Sequence, residues 1–193
     1  MAACAKAGER EAFDLLVQKY KHVIHQFVRR YVGQADDAYD VLQECFIAAW
    51  RGISRYDPER PFLPWLRVIA LNKCRDFGRR QSVRRIVLET FFRQSVRRDQ
   101  VGIDLETETE DAQTAQMLSL DKAIATLPAF YKEPLLLSVV SGLSHQDIAE
   151  MLKTTSKAVE MRLYRARKKL LDTVENDKTY SPLFQRAHGK NAE

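Results

Sequence analysis

The sequence has 193 residues, 45% of them apolar, and a formal net charge of +5. This length suits one ordinary domain or two small ones, and this apolar share allows a buried core to form. The isoelectric point of about 9.1 indicates an anionic partner, although charge alone does not distinguish nucleic acid from acidic lipid.

Several classes of protein are disfavoured by the sequence. No apolar run approaches the roughly 20 residues of a membrane span, and residues 1–10 lack the apolar segment of a secretion signal, so we expect a cytoplasmic protein without direct membrane insertion. Cys4, Cys45 and Cys74 form no C-x-x-C pair and none sits close to a histidine, which disfavours a disulfide framework or a zinc site. No nucleophile–base set or glycine-rich phosphate loop is visible, so we expect no enzyme, no cofactor and no metal.

The first half of the chain has helical spacing. Apolar residues recur at steps of three and four from Phe13 to Tyr31 and predict a helix that Gly33 can end. A second helix is expected from about Asp36, with an apolar stripe that runs to Trp50. The prolines within 56–61 predict a loop, and a third helix is expected from about Phe62 to Arg80.

The sign of the local charge changes in the middle of the chain. It is basic from residue 81 to 98, and from 99 to 121 it holds no Lys or Arg. This change and the loss of periodicity predict a linker over 82–114. Helical periodicity then returns, and a polar tail is expected over 176–193. Because no strand alternation is visible, we predict an all-α chain with two small helical domains, 1–81 and 115–175.

The second domain has the spacing of a helix-turn-helix. Ser144 can cap a short helix, with Asp147 as an imperfect capping-box partner, and Lys153–Thr155 turns into a last helix from about Ser156 to Val174. Such a helix can enter the major groove of DNA; the alternative is a helical hairpin with a solvated basic face. The candidate DNA-binding residues are Ser156, Lys157, Glu160, Met161, Arg162, Tyr164, Arg165 and Lys168.

Residues 36–51 resemble the polymerase-binding helix of the extracytoplasmic-function (ECF) group of bacterial sigma factors. The family pattern is roughly D-A-x-D, two hydrophobic residues, then Q-E-x-F-x-x-x-W. Residues 55–58 and 62–80 resemble the promoter-melting segment of that family, and the helix-turn-helix resembles its second domain. The resemblance covers about 8–80 and 115–172. The matches in the first pattern are Asp37, Ala38, Asp40, Gln43, Glu44, Phe46 and Trp50.

The resemblance implies a role for each segment. It implies that one face of the second helix docks on a coiled coil of the largest subunit of core RNA polymerase. The alternative is that this face of the amphipathic helix is simply solvated. The resemblance also implies that the loop and the third helix read the −10 element of promoter DNA. In this interpretation Asn72 contacts a base, the arginines bind phosphates, and Asp76 anchors the arginines. Trp65 is interpreted as core. The polymerase-binding candidates are Asp40, Gln43, Glu44 and Ile47, and the −10 candidates are Tyr56, Arg60, Asn72, Arg75, Arg79 and Arg80.

The resemblance therefore implies a sigma factor that directs promoter-specific initiation and is controlled by an anti-sigma factor, with control by synthesis alone as the alternative. Lys157, Ala158 and Glu160 depart from the family's usual recognition helix, which leaves the preferred −35 sequence open. The rival interpretation is a helix-turn-helix regulator that acts without forming holoenzyme.

Overall fold

The computed structural model of the protein describes residues 1–94, 120–121 and 123–176, and for 85–94 and 174–176 it describes the main chain alone. Within these residues the fold is helical and contains no strand, which confirms the predicted all-α class. None of the described helices combines the length and apolarity that a membrane crossing needs. The part of the predicted linker from 95 onward to 114, and the predicted tail after 176, lie outside the described residues.

The first unit consists of four helices. They are α1 (Ala2–Lys6), α2 (Arg10–Val32), α3 (Ala35–Gly52) and α4 (Phe62–Gln94), with a 3-10 turn at Ile53–Arg55. α2, α3 and α4 pack on one another, and the predicted stripes face inward: Ile24, Phe27 and Leu66 are among the fully buried side chains. Each large apolar side chain buried in this way stabilises the unit by about 1.5–3 kcal/mol.

The third predicted helix is longer than expected. We predicted an end near Arg80, and the structure continues α4 to Gln94. Residues 81–94 contain no proline or glycine, so nothing in the backbone stops the helix there. The predicted end of this helix near Arg80 was therefore wrong.

The second unit contains the helix-turn-helix. Residues 120–121 and 123–126 are helical, followed by α5 (Ala129–Val139), α6 (His145–Met151) and α7 (Ser156–Asn176). The capping box at α6 is complete: the Asp147 amide donates to Ser144 Oγ at 3.2 Å, and the Ser144 amide donates to Asp147 Oδ2 at 3.2 Å. Lys153, at φ 52°, makes the turn before α7. The predicted helix-turn-helix is confirmed in form.

The two units pack together where α2 ends. Gly33 follows α2 with φ 90°, and its amide donates to the Arg29 carbonyl at 2.9 Å. Gly33 is buried, and a Cβ added to it would lie 2.6 Å from the Cβ of Ala125 in the second unit. Glycine is therefore required here for two reasons, the left-handed backbone and the close approach of the other unit.

We predict that Gly33→Ala lowers the melting temperature more than Gly142→Ala does. A positive φ costs a non-glycine residue about 1–2 kcal/mol at either position. Gly142 has φ 61° with no atom within 4 Å of an added Cβ, so Gly33→Ala alone adds the collision with Ala125. Thermal unfolding followed by circular dichroism measures both variants, and equal losses would contradict the close packing of the two units.

Candidate nucleic-acid interface and docking surface

The outer face of α3 carries polar side chains around an apolar one. Asp40 and Gln43 are exposed, and Ile47 is 50% exposed, while the opposite face buries Val41 and Cys45 against the core. One turn further on, Trp50 is 38% exposed and its ring packs 4.9 Å from the ring of Phe13. Ile47 and Trp50 therefore extend an apolar surface beside the polar residues, a composition that suits contact with another protein.

Glu44 lies on the same side of α3 but is not free. Arg80 Nη2 donates to both of its carboxylate oxygens at 3.1 Å, and Lys73 Nζ lies 3.8 Å from Oε2. These pairs tie α3 to α4. The sequence did not reveal them, because Glu44 and Arg80 stand 36 residues apart.

A cleft of about 860 Å³ lies between α3 and α4. Asp37 and Asp40 line it from α3, and Arg79 and Arg84 from α4, with Phe77 among the apolar lining residues. The cleft therefore has one acidic and one basic wall. It joins the polar face of α3 to the cationic face of α4.

The loop over 56–61 is held by an aromatic cluster. Tyr56 is 3% exposed, its ring lies 5.3 Å from that of Phe62 and 5.2 Å from that of Trp65, and its hydroxyl donates to the Arg60 carbonyl. Burial raises the pKa of Tyr56. The assignment of Tyr56 to the −10 surface stays a prediction, and in this conformation the side chain supports the loop from inside. Trp65 is half-buried in the same cluster, as expected of a core residue.

Several cations of this loop and of α4 are paired with carboxylates. Arg60 Nε lies 3.5 Å from Asp57 Oδ2, and both side chains are largely exposed. Arg79 donates to Asp76, which confirms Asp76 as an anchor for that arginine. Asn72 is exposed, and its Oδ1 lies 3.4 Å from Nη1 of Arg75. On α4, Arg75 and Arg79 thus each contact a polar side chain three residues earlier in the helix.

Arg75 has a partner in the second unit. Its Nε and Nη2 donate to the two carboxylate oxygens of Glu133 at 2.8 and 2.6 Å. The hydrogen bond to Glu133 raises the pKa of Arg75. The sequence led us to expect Arg75 on the −10 surface, but we did not predict its contact with Glu133. The one signal for that contact is the position of Glu133 in an otherwise apolar helix, because a buried carboxylate needs a partner.

The recognition helix α7 divides cleanly into two faces. Val159, Leu163 and Ala166 are buried against α5 and α6, so the opposite face is free of the core. The predicted DNA-binding residues on that face are exposed: Ser156, Lys157, Glu160, Met161, Tyr164, Arg165 and Lys168.

Arg162 is the exception on α7. Its guanidinium lies 4.0 Å from the ring centroid of Phe130, and Nη2 is 3.4 Å from Thr154 Oγ1. This side chain is directed toward α5 and the turn, so its charge is used in packing. The assignment of Arg162 to DNA binding stays a prediction, and in this conformation its guanidinium contacts Phe130.

Two of the cysteines lie in the core of the first unit. Burial raises the pKa of the Cys45 thiol to about 12, and burial also raises the pKa of Cys74 well above its usual value. Both thiols are therefore protonated at neutral pH. Within the described ranges, no three His, Cys, Asp or Glu residues are grouped so that they could hold a metal ion.

Comparisons with known proteins find relatives that match both units of the chain. The family model for sigma-70 region 2 matches residues 16–84, and the model for sigma-70 region 4 matches 117–170. The chain is 32% identical over 186 residues to the RNA polymerase sigma factor CnrH of Cupriavidus metallidurans, covering 92% of this chain and 94% of CnrH. It is also 32% identical to the ECF RNA polymerase sigma-E factor of Haemophilus influenzae, over 87% of this chain and 90% of that protein.

The chain is also similar to a solved structure over most of its length. That structure is CnrH in complex with the cytosolic domain of CnrY, with 30% identity, a TM-score of 0.66, and coverage of 92% of this chain and 96% of that one.

Proposed function

The chain belongs to the extracytoplasmic-function group of RNA polymerase sigma factors, and we propose that three of its surfaces divide the work of promoter-specific initiation. In this proposal α3 docks on core RNA polymerase, the segment from the loop through α4 reads and opens the −10 element, and α7 reads the −35 element. The observation that carries it is the order of the two family segments in one chain, each with an exposed surface suited to its task. A cytoplasmic location follows from this role.

The docking surface is proposed on α3 around Asp40, Gln43, Glu44 and Ile47. An exposed apolar side chain among polar ones is the composition of a protein interface, since the apolar centre supplies burial and the polar rim supplies direction. Trp50 enlarges the apolar centre. Core polymerase must compete with Lys73 and Arg80 for Glu44, which makes Gln43 and Ile47 the side chains most readily available to it.

The −10 surface is proposed on α4 and the loop before it. Arginines on a helix beside an exposed amide combine the two kinds of contact that DNA reading needs, because cations bind phosphates and an amide can recognise a base edge. Arg79 and Arg80 supply the charge, and Asn72 supplies the amide. Tyr56 contributes by fixing the conformation of the loop, so that a captured base binds to a preformed surface. The contacts of that base offset the free-energy cost of unpairing it.

The −35 surface is proposed on the exposed face of α7. Arg165 and Lys168 can bind guanines or phosphates, and Glu160 can accept from the amino group of cytosine. Tyr164 is 63% exposed on the same face. Arg162 is left out of this surface because its guanidinium lies on Phe130.

An anti-sigma factor is the proposed regulator. The similar solved structure is that of CnrH with the cytosolic domain of CnrY, and CnrH is a relative at 32% identity. We place the partner over the exposed face of α3 and the cleft beside it, because a protein bound there excludes core polymerase. Binding of the two partners is then mutually exclusive.

Reconstitution with core polymerase tests the proposal. We expect the purified chain to form a stoichiometric complex with core polymerase of its source bacterium and to direct run-off transcription from a subset of that genome's promoters. Specific binding to duplex DNA without core, together with no transcript in its presence, would instead identify a regulator that acts without holoenzyme.

We predict that replacing Gln43 and Glu44 together with alanine weakens binding to core polymerase at least tenfold, or about 1.4 kcal/mol. Both residues lie outside the core, and the exposed ion pairs of Glu44 contribute about 0–1 kcal/mol, so helicity and melting temperature should change little. Titration of labelled protein with core polymerase measures the affinity.

The matched control replaces Glu11 and Gln18, exposed on α2, with alanine. It removes the same two functional groups from a surface to which no docking is assigned. Equal affinity of the two double variants for core polymerase would remove the docking surface from α3.

We also predict that Arg165→Ala lowers transcription and relaxes preference at one −35 position. A bidentate contact between arginine and guanine is worth about 1–3 kcal/mol of discrimination. Arg162→Ala is the control: it should lower thermal stability through the lost contact with Phe130 while leaving −35 preference unchanged. Run-off transcription from a set of −35 variants measures both, and a uniform loss across the set would make Arg165 a phosphate contact.

A further inference from the structure

The first two turns of α7 carry a cation and a carboxylate side by side. Lys157 and Glu160 are both exposed, and their spacing of three residues places them on the same side of the helix. Among the residues that the structure describes, neither side chain forms an ion pair or a hydrogen bond, with the other or with any further residue. The donor of Lys157 and the acceptor of Glu160 are therefore both available to a ligand in front of α7.

The rotation of α7 about its axis is fixed, so these two side chains keep their direction. Val159 and Leu163 are 0% and 1% exposed and anchor the helix to the core of the second unit. The Ala158 amide donates to Thr155 Oγ1 at 3.2 Å and so caps the first turn. A recognition helix contacts base edges with its N-terminal residues. The cation and the carboxylate therefore lie on the part of α7 that is suited to reading bases.

The carboxylate of Glu160 restricts which base can lie in front of it. Phosphates repel a carboxylate, so close to DNA it is stabilised by a donor on a base edge. In the major groove guanine and thymine present acceptor atoms, whereas cytosine and adenine present an amino group. Adenine places the acceptor N7 beside its amino group, and that atom repels the second carboxylate oxygen. Cytosine presents the amino group alone, so we expect Glu160 to favour cytosine over adenine and to exclude guanine and thymine.

The cation complements the base that is paired with this cytosine. Guanine exposes N7 and O6 in the major groove, and lysine binds these acceptors. A C·G pair thus presents a donor beside two acceptors, which matches the acceptor of Glu160 beside the donor of Lys157. With the base pair reversed, guanine acceptors would face Glu160 and the cytosine amino group would face Lys157. Both contacts would then be repulsive, so the two residues also select the orientation of the pair.

From this geometry we infer that Lys157 and Glu160 together read one C·G base pair of the −35 element, with the cytosine at Glu160 and the guanine at Lys157. The inference rests on the proposed function, because that function assigns α7 to the −35 element. It goes further by naming a base pair and its orientation. Both residues depart from the usual recognition helix of the family, so this base preference belongs to the present chain.

The test compares Glu160→Gln with Glu150→Gln in the full-length chain. Glu150 is exposed on α6, so its substitution makes the same change of charge within the same unit. Duplex oligonucleotides of random sequence are incubated with the protein at low salt, with and without core polymerase, and the bound DNA is sequenced. We expect the wild-type chain to favour cytosine over guanine and thymine at one position by roughly tenfold or more. Glu160→Gln should favour adenine there, because a glutamine amide pairs with N6 and N7 of adenine, while Glu150→Gln keeps cytosine.

Lys157→Ala tests whether the two residues read the same base pair. We expect it to weaken the preference at the position that Glu160→Gln alters, because the guanine of that pair loses its donor. Circular dichroism verifies that each variant retains its helicity. An unaltered base preference in Glu160→Gln would overturn the inference, and so would a Lys157→Ala variant that relaxes a different position.

The two arms of the selection separate this inference from the proposed function. The exchange of cytosine for adenine without core polymerase, together with no run-off transcript in its presence, would support the C·G assignment and remove the sigma-factor function. Run-off transcription by the wild-type chain, together with the same base preference in wild type and Glu160→Gln, would remove the C·G assignment alone.

Discussion

The end of α2 is the constraint on which the arrangement of the two units depends. A helix leaves its last carbonyls without internal partners, and a helix end that is covered by protein must find donors for them. At the end of α2 the Gly33 amide donates to the Arg29 carbonyl, and Lys132 Nζ donates to the Tyr31 carbonyl. Burial lowers the pKa of Lys132, whereas the negative charge of Glu133 raises it. The two carbonyls that accept from Nζ and the Glu133 carboxylate therefore stabilise the charged form of Lys132. The carbonyls at the end of α2 require hydrogen-bond donors, and this requirement determines where the second unit packs.

The sequence predicted the parts of the fold that depend on local spacing. Apolar steps of three and four identify α2 and α3 because the inward face of a helix repeats with its turn. Gly33 and Ser144 mark ends that are set by backbone geometry and by side-chain caps within a few residues. The end of α4 was wrongly predicted, since charge was used there as a boundary signal. A helix ends where its backbone is interrupted, and residues 81–94 hold neither proline nor glycine.

The candidate site was harder to predict, because its side chains find partners that are distant in sequence. The exposed faces of α3 and α7 follow from helical periodicity, as with Gln43 and Arg165. The pairing of Glu44 with Arg80 and of Arg75 with Glu133 joins residues 36 and 58 positions apart, which no periodic pattern encodes. Arg162 shows the same limit in another form. A basic residue on a recognition helix suggests DNA binding, and its contact with Phe130 is visible in three dimensions alone.

The cations proposed to bind −10 DNA are already neutralised within the protein, so DNA binding is an exchange of acceptors. Arg79 and Arg80 pair with Asp76 and Glu44 in positions that water reaches, and breaking such pairs costs about 0–1 kcal/mol. These cations can pass to phosphates with little loss. Arg75 differs because Glu133 is buried while Arg75 itself is 35% exposed, so breaking this pair costs more than breaking an exposed one. In the proposed −10 surface, Arg79 and Arg80 can therefore reach phosphates at a lower cost than Arg75 can.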